Sequence, residues 1–262
     1  MNLKFSGLSD IGLTRQNNED VWVAFPEHGL FALADGMGGH KAGEIAAKEA
    51  IDQLCQLMKR HKNTNDPAAL RAAIEFANLR VYEKSCKSDA FRGMGTTLCC
   101  LQCTKDSVIY AHVGDSRIYR YRNNKLEQLT NDHSLLAQWI SEGDKNKPIP
   151  YKNIITRSIG TPKRANPEIN ITPHLPGDLF ILCSDGLSDV LSLSDIEIIV
   201  ERSESLDLMT TRLIEKAKIK GSSDNITVLI VQFDGKHIFR QQLDDSIRPE
   251  GAISNDGREA RF

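Results

Sequence analysis

The chain has 262 residues and a formal net charge of −2, from 33 lysines and arginines against 35 aspartates and glutamates, and 40% of its residues are hydrophobic. This composition is sufficient for one large core, and the near-neutral charge disfavours partners such as nucleic acid or an anionic membrane. No apolar run reaches the roughly 18 residues of a membrane span, and residues 1–6 lack the apolar core of a signal peptide. The six cysteines lack the spacing of a disulfide framework. We therefore expect a soluble, cytoplasmic, monomeric protein.

The first half of the chain predicts strands and two helices. Apolar runs predict strands at 3–8, 21–25 and 30–34. A helix is predicted over 42–61 by apolar residues at helical spacing, and Asp66 followed by Pro67 predicts the start of a second one. Further strands are predicted at 96–103, 108–113, 117–122 and 126–129. A turn at 123–124 would join the last two.

The second half predicts a short helix, two buried strands and two more helices. The short helix is expected over 134–142, followed by a polar loop up to residue 152. Strands at 179–183 and 226–233 enclose helices at 193–202 and 206–218. Blocks of strands and helices in this order indicate a layered α+β fold. Because apolar residues become rare after residue 236, we expect a domain over 1–240 and a weakly ordered tail over 241–262.

Acidic residues recur where the predicted strands begin or end. In chain order they are Glu19 with Asp20, Asp35, Asp115, Asp185 and Asp224. Carboxylates gathered at one end of a sheet supply the oxygen ligands that hard divalent cations prefer, and neighbouring glycines let a backbone carbonyl approach the ion. Aspartate and glycine also favour turns, which is the simpler interpretation of any one position. Five such positions in one chain favour a metal site.

Six short motifs follow one another over most of the chain. They are RQNNED (15–20), DGMGGH (35–40), GMGTT (93–97), VGDSR (113–117), SDG (184–186) and DN (224–225). Together they resemble the motif set of the metal-dependent Ser/Thr protein phosphatases, the PPM or protein phosphatase 2C family, in its compact bacterial form. The resemblance implies a four-layer α/β/β/α sandwich, with two antiparallel sheets flanked by helices and a small flap subdomain at about 134–160.

The resemblance also implies a site for two ions of Mn²⁺ or Mg²⁺. By position in the motifs, Asp35 would bridge both ions. Asp185 and Asp224 would complete the ligand shell of the first ion, and the carbonyl of Gly36 would bind the second.

The remaining acidic residues of the motifs are implied to act around this pair of ions. Glu19 and Asp20 would act largely through metal-bound waters, and Asp115 would help to hold a third, weaker ion. Arg15 would clamp the substrate phosphate, since a planar guanidinium can donate two hydrogen bonds to phosphate oxygens. Without the resemblance, Arg15 would be interpreted as a solvated surface charge.

A general acid has to protonate the leaving oxygen. In animal members of the family, the histidine usually given this role directly follows the Asp-Gly pair, where this chain has Met37. His40, three residues further on, and a metal-bound water are therefore the two candidates.

The implied activity is hydrolysis of phosphoserine and phosphothreonine on proteins by a hydroxide that bridges the two ions. The partners would be phosphorylated proteins, including a Ser/Thr kinase or its substrates. One alternative is a pseudophosphatase that binds phosphorylated partners without cleaving them. It is disfavoured because Asp35, Asp185, Asp224 and Arg15 are all present. A second alternative is a two-metal nucleotide phosphodiesterase, which would share the carboxylates.

Two other sequence patterns do not indicate a binding site. A dinucleotide fingerprint starting at Gly36 requires a third glycine at position 41, which is lysine. Cys100 and Cys103 match C-x-x-C, but residues three apart in a strand point to opposite faces, so we expect core thiols.

Overall fold

The structure is a computed structural model that describes residues 2–37, 42–60, 66–143, 148–151 and 153–234. Its strands are β1 (Leu3–Asp10), β2 (Asp20–Phe25), β3 (Leu30–Met37), β4 (Gly95–Thr96), β5 (Leu98–Cys103), β6 (Ser107–Val113), β7 (Arg117–Arg122), β8 (Lys125–Gln128), β9 (Glu168–Pro173), β10 (Leu179–Cys183) and β11 (Ile226–Phe233). Its α-helices are α1 (Ala42–Met58), α2 (Pro67–Ser85), α3 (Leu135–Glu142), α4 (Asp185–Ser188), α5 (Leu193–Arg202) and α6 (Leu206–Ile219).

Two antiparallel sheets lie face to face between two layers of helices. Sheet I has the strand order β1-β11-β10-β7-β8, and sheet II has the order β2-β3-β5-β6-β9 with β4 paired to β3. Helices α1 and α2 cover sheet II, and α5 and α6 cover sheet I. A third apolar cluster fills the space between the sheets. This arrangement confirms the predicted four-layer α/β/β/α sandwich.

Strands β10 and β11 in the middle of sheet I are largely apolar on both faces. Phe180 and Leu182 of β10 point into the core between the sheets, whereas Leu179 and Ile181 point towards the helices. All eight residues of β11 are buried for the same reason. A strand that is covered on both sides has no polar face, and both of these apolar runs were predicted with the right limits, 179–183 and 226–233.

Local signals in the sequence act as predicted. Asp66 caps α2 by accepting a hydrogen bond from the amide of Ala68, and Pro67 occupies the first turn. Asn123 and Asn124 have φ angles of 52° and 60°, the left-handed pair that a type I′ hairpin turn requires between β7 and β8. The thiol of Cys100 faces the helices while that of Cys103 faces the inter-sheet core, which confirms two separate core residues.

Two predicted limits were wrong, and one strand was not predicted. Strand β3 continues beyond Ala34 to Met37, because Gly36 and Met37 pair with β4. Asp35 therefore lies inside a strand and does not terminate it. Helix α1 ends at Met58 and not at residue 61. Strand β9 was not predicted, because it lies at the edge of sheet II and its Ile171 is largely exposed.

The predicted division into a domain over 1–240 and a tail over 241–262 stays a prediction, since residues 235–262 lie outside the described part of the chain. None of the helices in the described ranges combines the length and the apolar character that a membrane crossing requires.

Candidate metal centre

Both sheets open at one end onto a cavity of about 260 Å³. Its walls contain seven of the nine site residues expected from the sequence: Arg15, Glu19, Asp35, Gly36, Asp115, Asp185 and Asp224. Asp20 is buried beside it, opposite Asp35 in the β2–β3 pairing. His40 lies outside the described residues. The carboxylates that the sequence places at separate strand ends therefore meet at one site.

The connections between strands explain this convergence. Asp35 comes from β3 of sheet II, whereas Asp185 follows β10 and Asp224 precedes β11 in sheet I. Because β10 and β11 are antiparallel neighbours, the last residues of β10 and the first residues of β11 lie at the same end of sheet I. The loop between β1 and β2 brings Arg15 and Glu19 to this end as well.

Two threonines hold the backbone of Asp35. Its amide donates to Thr97 Oγ1 at 3.0 Å, and its carbonyl accepts from the Thr96 hydroxyl and the Thr97 amide, both at 2.8 Å. The hydroxyls of Thr97 and Ser116 lie 2.7 Å apart. These residues support the site, and they link Asp35 to the loop that carries Asp115.

Gly36 allows a close approach between β3 and α1. A Cβ atom at this position would lie 2.3 Å from the carbonyl oxygen of Gly43 in α1 and 2.8 Å from that of Glu19. Gly43 is equally constrained, because its Cβ would lie 2.0 Å from Glu19 Oε2. No side chain fits between these segments, so the backbone of Gly36 forms part of the cavity wall.

Asn225 organises the loop that carries Arg15 and Glu19. Its side-chain amide donates to the carbonyls of Ile11 at 2.9 Å and Asn17 at 3.0 Å, and its Oδ1 accepts from the Glu19 amide at 2.9 Å. Asn225 belongs to the last of the six motifs, but no role was predicted for it from the sequence. A buried asparagine next to a predicted ligand is the signal that points to such a support.

The carboxylates of the cavity repel one another and are poorly solvated. Burial first, and then Asp115, Asp224, Asp189 and Asp20, raise the pKa of Asp185 to about 8. Burial raises the pKa of Asp20 and of Asp115 to about 6 each. The pKa of Asp35 is raised well above its usual value, by burial and by Asp20 above all. The pKa of Glu19 is also raised, chiefly by burial. Such a cluster is stabilised by any cation that replaces the protons.

The unpaired oxygen atoms fit divalent cations. Asp20 Oδ2 accepts from Thr227 at 2.6 Å and from Ser184 at 2.9 Å, but its Oδ1 is buried without a donor. Asp185 Oδ1 is buried without a donor as well. Because buried oxygen atoms normally have a partner, these two indicate a missing ligand. All the side chains proposed as ligands are carboxylates, which suits Mg²⁺ or Mn²⁺ better than soft thiophilic metals.

A smaller acidic cavity of about 130 Å³ adjoins the first. The two share Asp115, Asn153 and Asp185, and the smaller one adds Asp132 and Asp189. Arg117 neutralises Asp132 through a bidentate ion pair with a shortest distance of 2.6 Å. Asp189 was not predicted as a site residue, although its spacing of four residues from Asp185 would place both on one face of a helix.

Comparison with known proteins identifies the relatives of this chain. The family model for protein phosphatase 2C matches residues 12–221. The protein phosphatase PhpP of Streptococcus pneumoniae is 36% identical, with 88% of this chain and 98% of that protein covered. The crystal structure of the Ser/Thr phosphatase PstP/Ppp of Mycobacterium tuberculosis is 33% identical and superimposes with a TM-score of 0.81 over 88% of this chain and 99% of that one. The catalytic domain of PstP, solved in complex with two manganese ions, is 33% identical, with a TM-score of 0.79 over 88% and 97% of the two chains.

The double-sheet sandwich with a carboxylate-lined cavity at one end, together with these matches, identifies a metal-dependent phosphatase. The chain belongs to the protein phosphatase 2C family, and it is a Ser/Thr protein phosphatase that requires metal ions and acts on phosphorylated proteins.

Proposed function

We propose that the cavity holds two divalent cations, Mn²⁺ or Mg²⁺, for the hydrolysis of phosphoserine and phosphothreonine. Asp35 would bridge the two ions, Asp185 and Asp224 would complete the shell of the first, and the Gly36 carbonyl would bind the second. The observation that carries this proposal is the meeting of Asp35, Asp185 and Asp224 in one cavity with a buried, unpartnered Asp185 oxygen. The two manganese ions bound by the related PstP domain support it.

The other acidic residues surround this pair. Glu19 and Asp20 act through water molecules, which agrees with the burial of Asp20 behind Asp35. A third, weaker ion binds at Asp115 in the smaller cavity, where Asp185 and Asp189 also contribute carboxylates. When bound, the cations supply the nucleophile, because they lower the pKa of water towards neutrality.

Arg15 binds and orients the phosphate. Its side chain is about half exposed, at 53%, and donates to Asp224 Oδ2 at 2.7 Å. This contact holds the guanidinium at the rim of the cavity. Because the ion pair joins only Nη2 of Arg15 to Oδ2 of Asp224, the other N–H groups of the guanidinium do not bond to Asp224. Asp224 and Glu19 raise the pKa of Arg15, so the positive charge is retained at any physiological pH.

The proton for the leaving oxygen comes from His40 or from a water molecule. His40 lies outside the described residues, so its role stays a prediction. Met37 lines the cavity at the position that follows the Asp-Gly pair, and its thioether has no proton to give. A member of the family with methionine here therefore depends on another donor.

The cellular partners follow from the activity. We propose that the phosphatase opposes a Ser/Thr kinase, as a monomer in the cytoplasm. A reducing compartment agrees with the six cysteines, all of which are free and five of which are buried.

Substrate profiling tests the proposed activity against both alternatives. We expect hydrolysis of p-nitrophenyl phosphate and of a phosphothreonine peptide in the presence of Mn²⁺, with little cleavage of bis(p-nitrophenyl) phosphate. A diester cleaved faster than the monoesters would instead identify a phosphodiesterase. Phosphopeptide binding without turnover, measured by calorimetry in the presence of Mn²⁺, would identify a pseudophosphatase.

Replacing Arg15 by alanine is expected to lower kcat/KM for the phosphothreonine peptide by roughly 10–100-fold, since a charge-assisted hydrogen bond contributes about 1.5–3 kcal/mol. Arg15→Lys keeps the charge but loses the planar fork, so an intermediate loss is expected. Arg92→Ala is the matched control, because Arg92 is an exposed arginine with only a weak contact to Asp89. Equal kcat/KM for Arg15→Ala and the control would exclude a role for Arg15 in phosphate binding.

A further inference from the structure

His133 lies where the flap, defined here as residues 134–160, leaves the sandwich. Its carbonyl accepts from the amide of Thr156 at 2.7 Å, so it also marks where the flap returns. The next residue, Ser134, forms a β-bridge with Ile155. His133 is thus the residue at which both arms of the flap are joined.

The same residue holds Gly114, directly before Asp115, by two hydrogen bonds. The His133 amide donates to the Gly114 carbonyl at 3.0 Å, and the Gly114 amide donates to His133 Nδ1 at 3.2 Å. These bonds fix the peptide planes on both sides of the Gly114 Cα atom. Gly114 has a φ angle of +107°, a conformation that a glycine adopts but does not hold by itself. The direction in which the chain enters Asp115 is therefore set by His133.

The imidazole is well suited to accept this bond. A backbone amide is always the donor, so Nδ1 must carry a lone pair. Burial, at 7% exposure, and the neighbouring His112 lower the pKa of His133 to about 4, which keeps the ring neutral. Because Nδ1 accepts from the Gly114 amide, the proton of the neutral ring is on Nε2. Glu168 Oε2, 3.6 Å from Nε2, is the acceptor on that side, whereas Arg157 Nη1, 3.2 Å away, can only donate and competes for the same nitrogen. The ring of His112 stacks on the other side at a centroid distance of 4.3 Å.

We propose that His133 is a positioning residue that orients Asp115 towards the cation cavity and connects it to the base of the flap. This inference rests on the proposed role of Asp115 as a metal ligand. Residues that orient metal ligands through hydrogen bonds commonly affect metal affinity by roughly 10–100-fold. His133 touches neither the cavity of about 260 Å³ nor any of the proposed ligands' carboxylates, so its effect is transmitted through Gly114.

Two matched variants separate the acceptor at Nδ1 from the rest of the ring. His133→Asn places an amide oxygen at the position of Nδ1, whereas His133→Gln places it at the position of Nε2. Both variants lose the stacking on His112 equally. We expect His133→Asn to retain Mn²⁺ affinity close to that of the original chain in calorimetry, and His133→Gln to bind the weaker ion roughly 10–100-fold less tightly.

Amide exchange in the metal-free protein provides a readout that does not depend on activity. The amide of Gly114 is expected to exchange several-fold faster in His133→Gln than in His133→Asn, because only the former lacks the acceptor. A scalar coupling across the hydrogen bond, from the Gly114 amide to His133 Nδ1, is expected in the unmodified protein. If this coupling is not observed, the proposal is overturned. This measurement needs no variant, so it remains decisive if a variant does not fold.

A double variant distinguishes failure of this inference from failure of the Asp115 assignment. If Asp115→Asn leaves Mn²⁺ binding unchanged, Asp115 is not a ligand and both proposals fall. If Asp115→Asn weakens binding while His133→Gln does not, or if the two His133 variants weaken it equally, only the positioning role is wrong. If His133 acts through Asp115, the double variant Asp115→Asn/His133→Gln binds Mn²⁺ as weakly as Asp115→Asn alone. The reason is that the effects of two coupled residues on affinity do not add.

Discussion

Replacing Asp35 by asparagine is expected to lower kcat/KM by at least about 10³-fold, corresponding to about 4 kcal/mol of transition-state stabilisation. The proposed bridging carboxylate cannot be replaced by an amide, which carries no charge to hold two cations. The fold should survive, because Thr96 and Thr97 hold Asp35 through its backbone and not through its carboxylate. In the metal-free protein the change removes one of several repelling charges, so the melting temperature should rise while activity is lost.

The matched control is Asp52→Asn, which removes a carboxylate from the exposed face of α1. It should change neither kcat/KM nor the metal-free melting temperature by a measurable amount. A variant at Asp35 that kept a tenth or more of the original kcat/KM with Mn²⁺ would exclude a bridging role for this residue.

Removing divalent cations with EDTA is expected to abolish turnover and to make stability depend strongly on pH. The folded-state pKa values of Asp185, about 8, and of Asp20 and Asp115, about 6, lie above the unfolded value of 3.8. Between about pH 4 and 8 the folded protein therefore binds more protons than the unfolded chain, so its stability falls as the pH rises through this window.

Adding Mn²⁺ above pH 7 should restore this stability. A cation at 100 times its dissociation constant stabilises the folded state by about 2.7 kcal/mol, which corresponds to a rise in melting temperature of about 5–10 °C for a chain of this size. Below pH 5 the rise should be smaller, because protons compete for the same carboxylates.

Thermal denaturation between pH 5 and 8, with EDTA or with Mn²⁺, measures both effects. Other groups also titrate in this window, so the informative quantity is the difference in slope between the original chain and Asp35→Asn. If the melting temperature of the metal-free protein changed with pH equally steeply in both proteins, Asp35 would not belong to a cluster of carboxylates that titrate together. Turnover that continued at the original rate in EDTA would contradict metal dependence itself.

Some elements of the fold could be predicted because their signals are local. Strands β10 and β11 were located correctly, since a strand buried on both faces appears in the sequence as a largely apolar run. The start of α2 was predicted from Asp66 and Pro67 for a similar reason, because capping involves neighbouring residues. In contrast, β9 depends on pairing with β6 at the edge of sheet II, and the extension of β3 depends on pairing with β4. Neither partner is adjacent in the sequence.

The candidate site shows the same division. Individual carboxylates at strand ends were visible in the sequence, and the order of the motifs pointed to their chemistry. Asp189 was missed because its one local signal, the spacing of four residues from Asp185, has a meaning only if the segment between them is helical, as α4 is. The bonds from Asn225 to the loop and from His133 to Gly114 were also missed, because they join segments far apart in the chain.

By itself, the sequence determined the composition of the site: which oxygen ligands exist, which glycines accompany them, and that no other metal-binding residue type dominates the motifs. Only the tertiary structure decided that these groups share one cavity and how far their charges perturb one another. The physical reason is that ligand type is a property of a side chain, whereas repulsion, desolvation and coordination depend on distances that are set by the packing of two sheets.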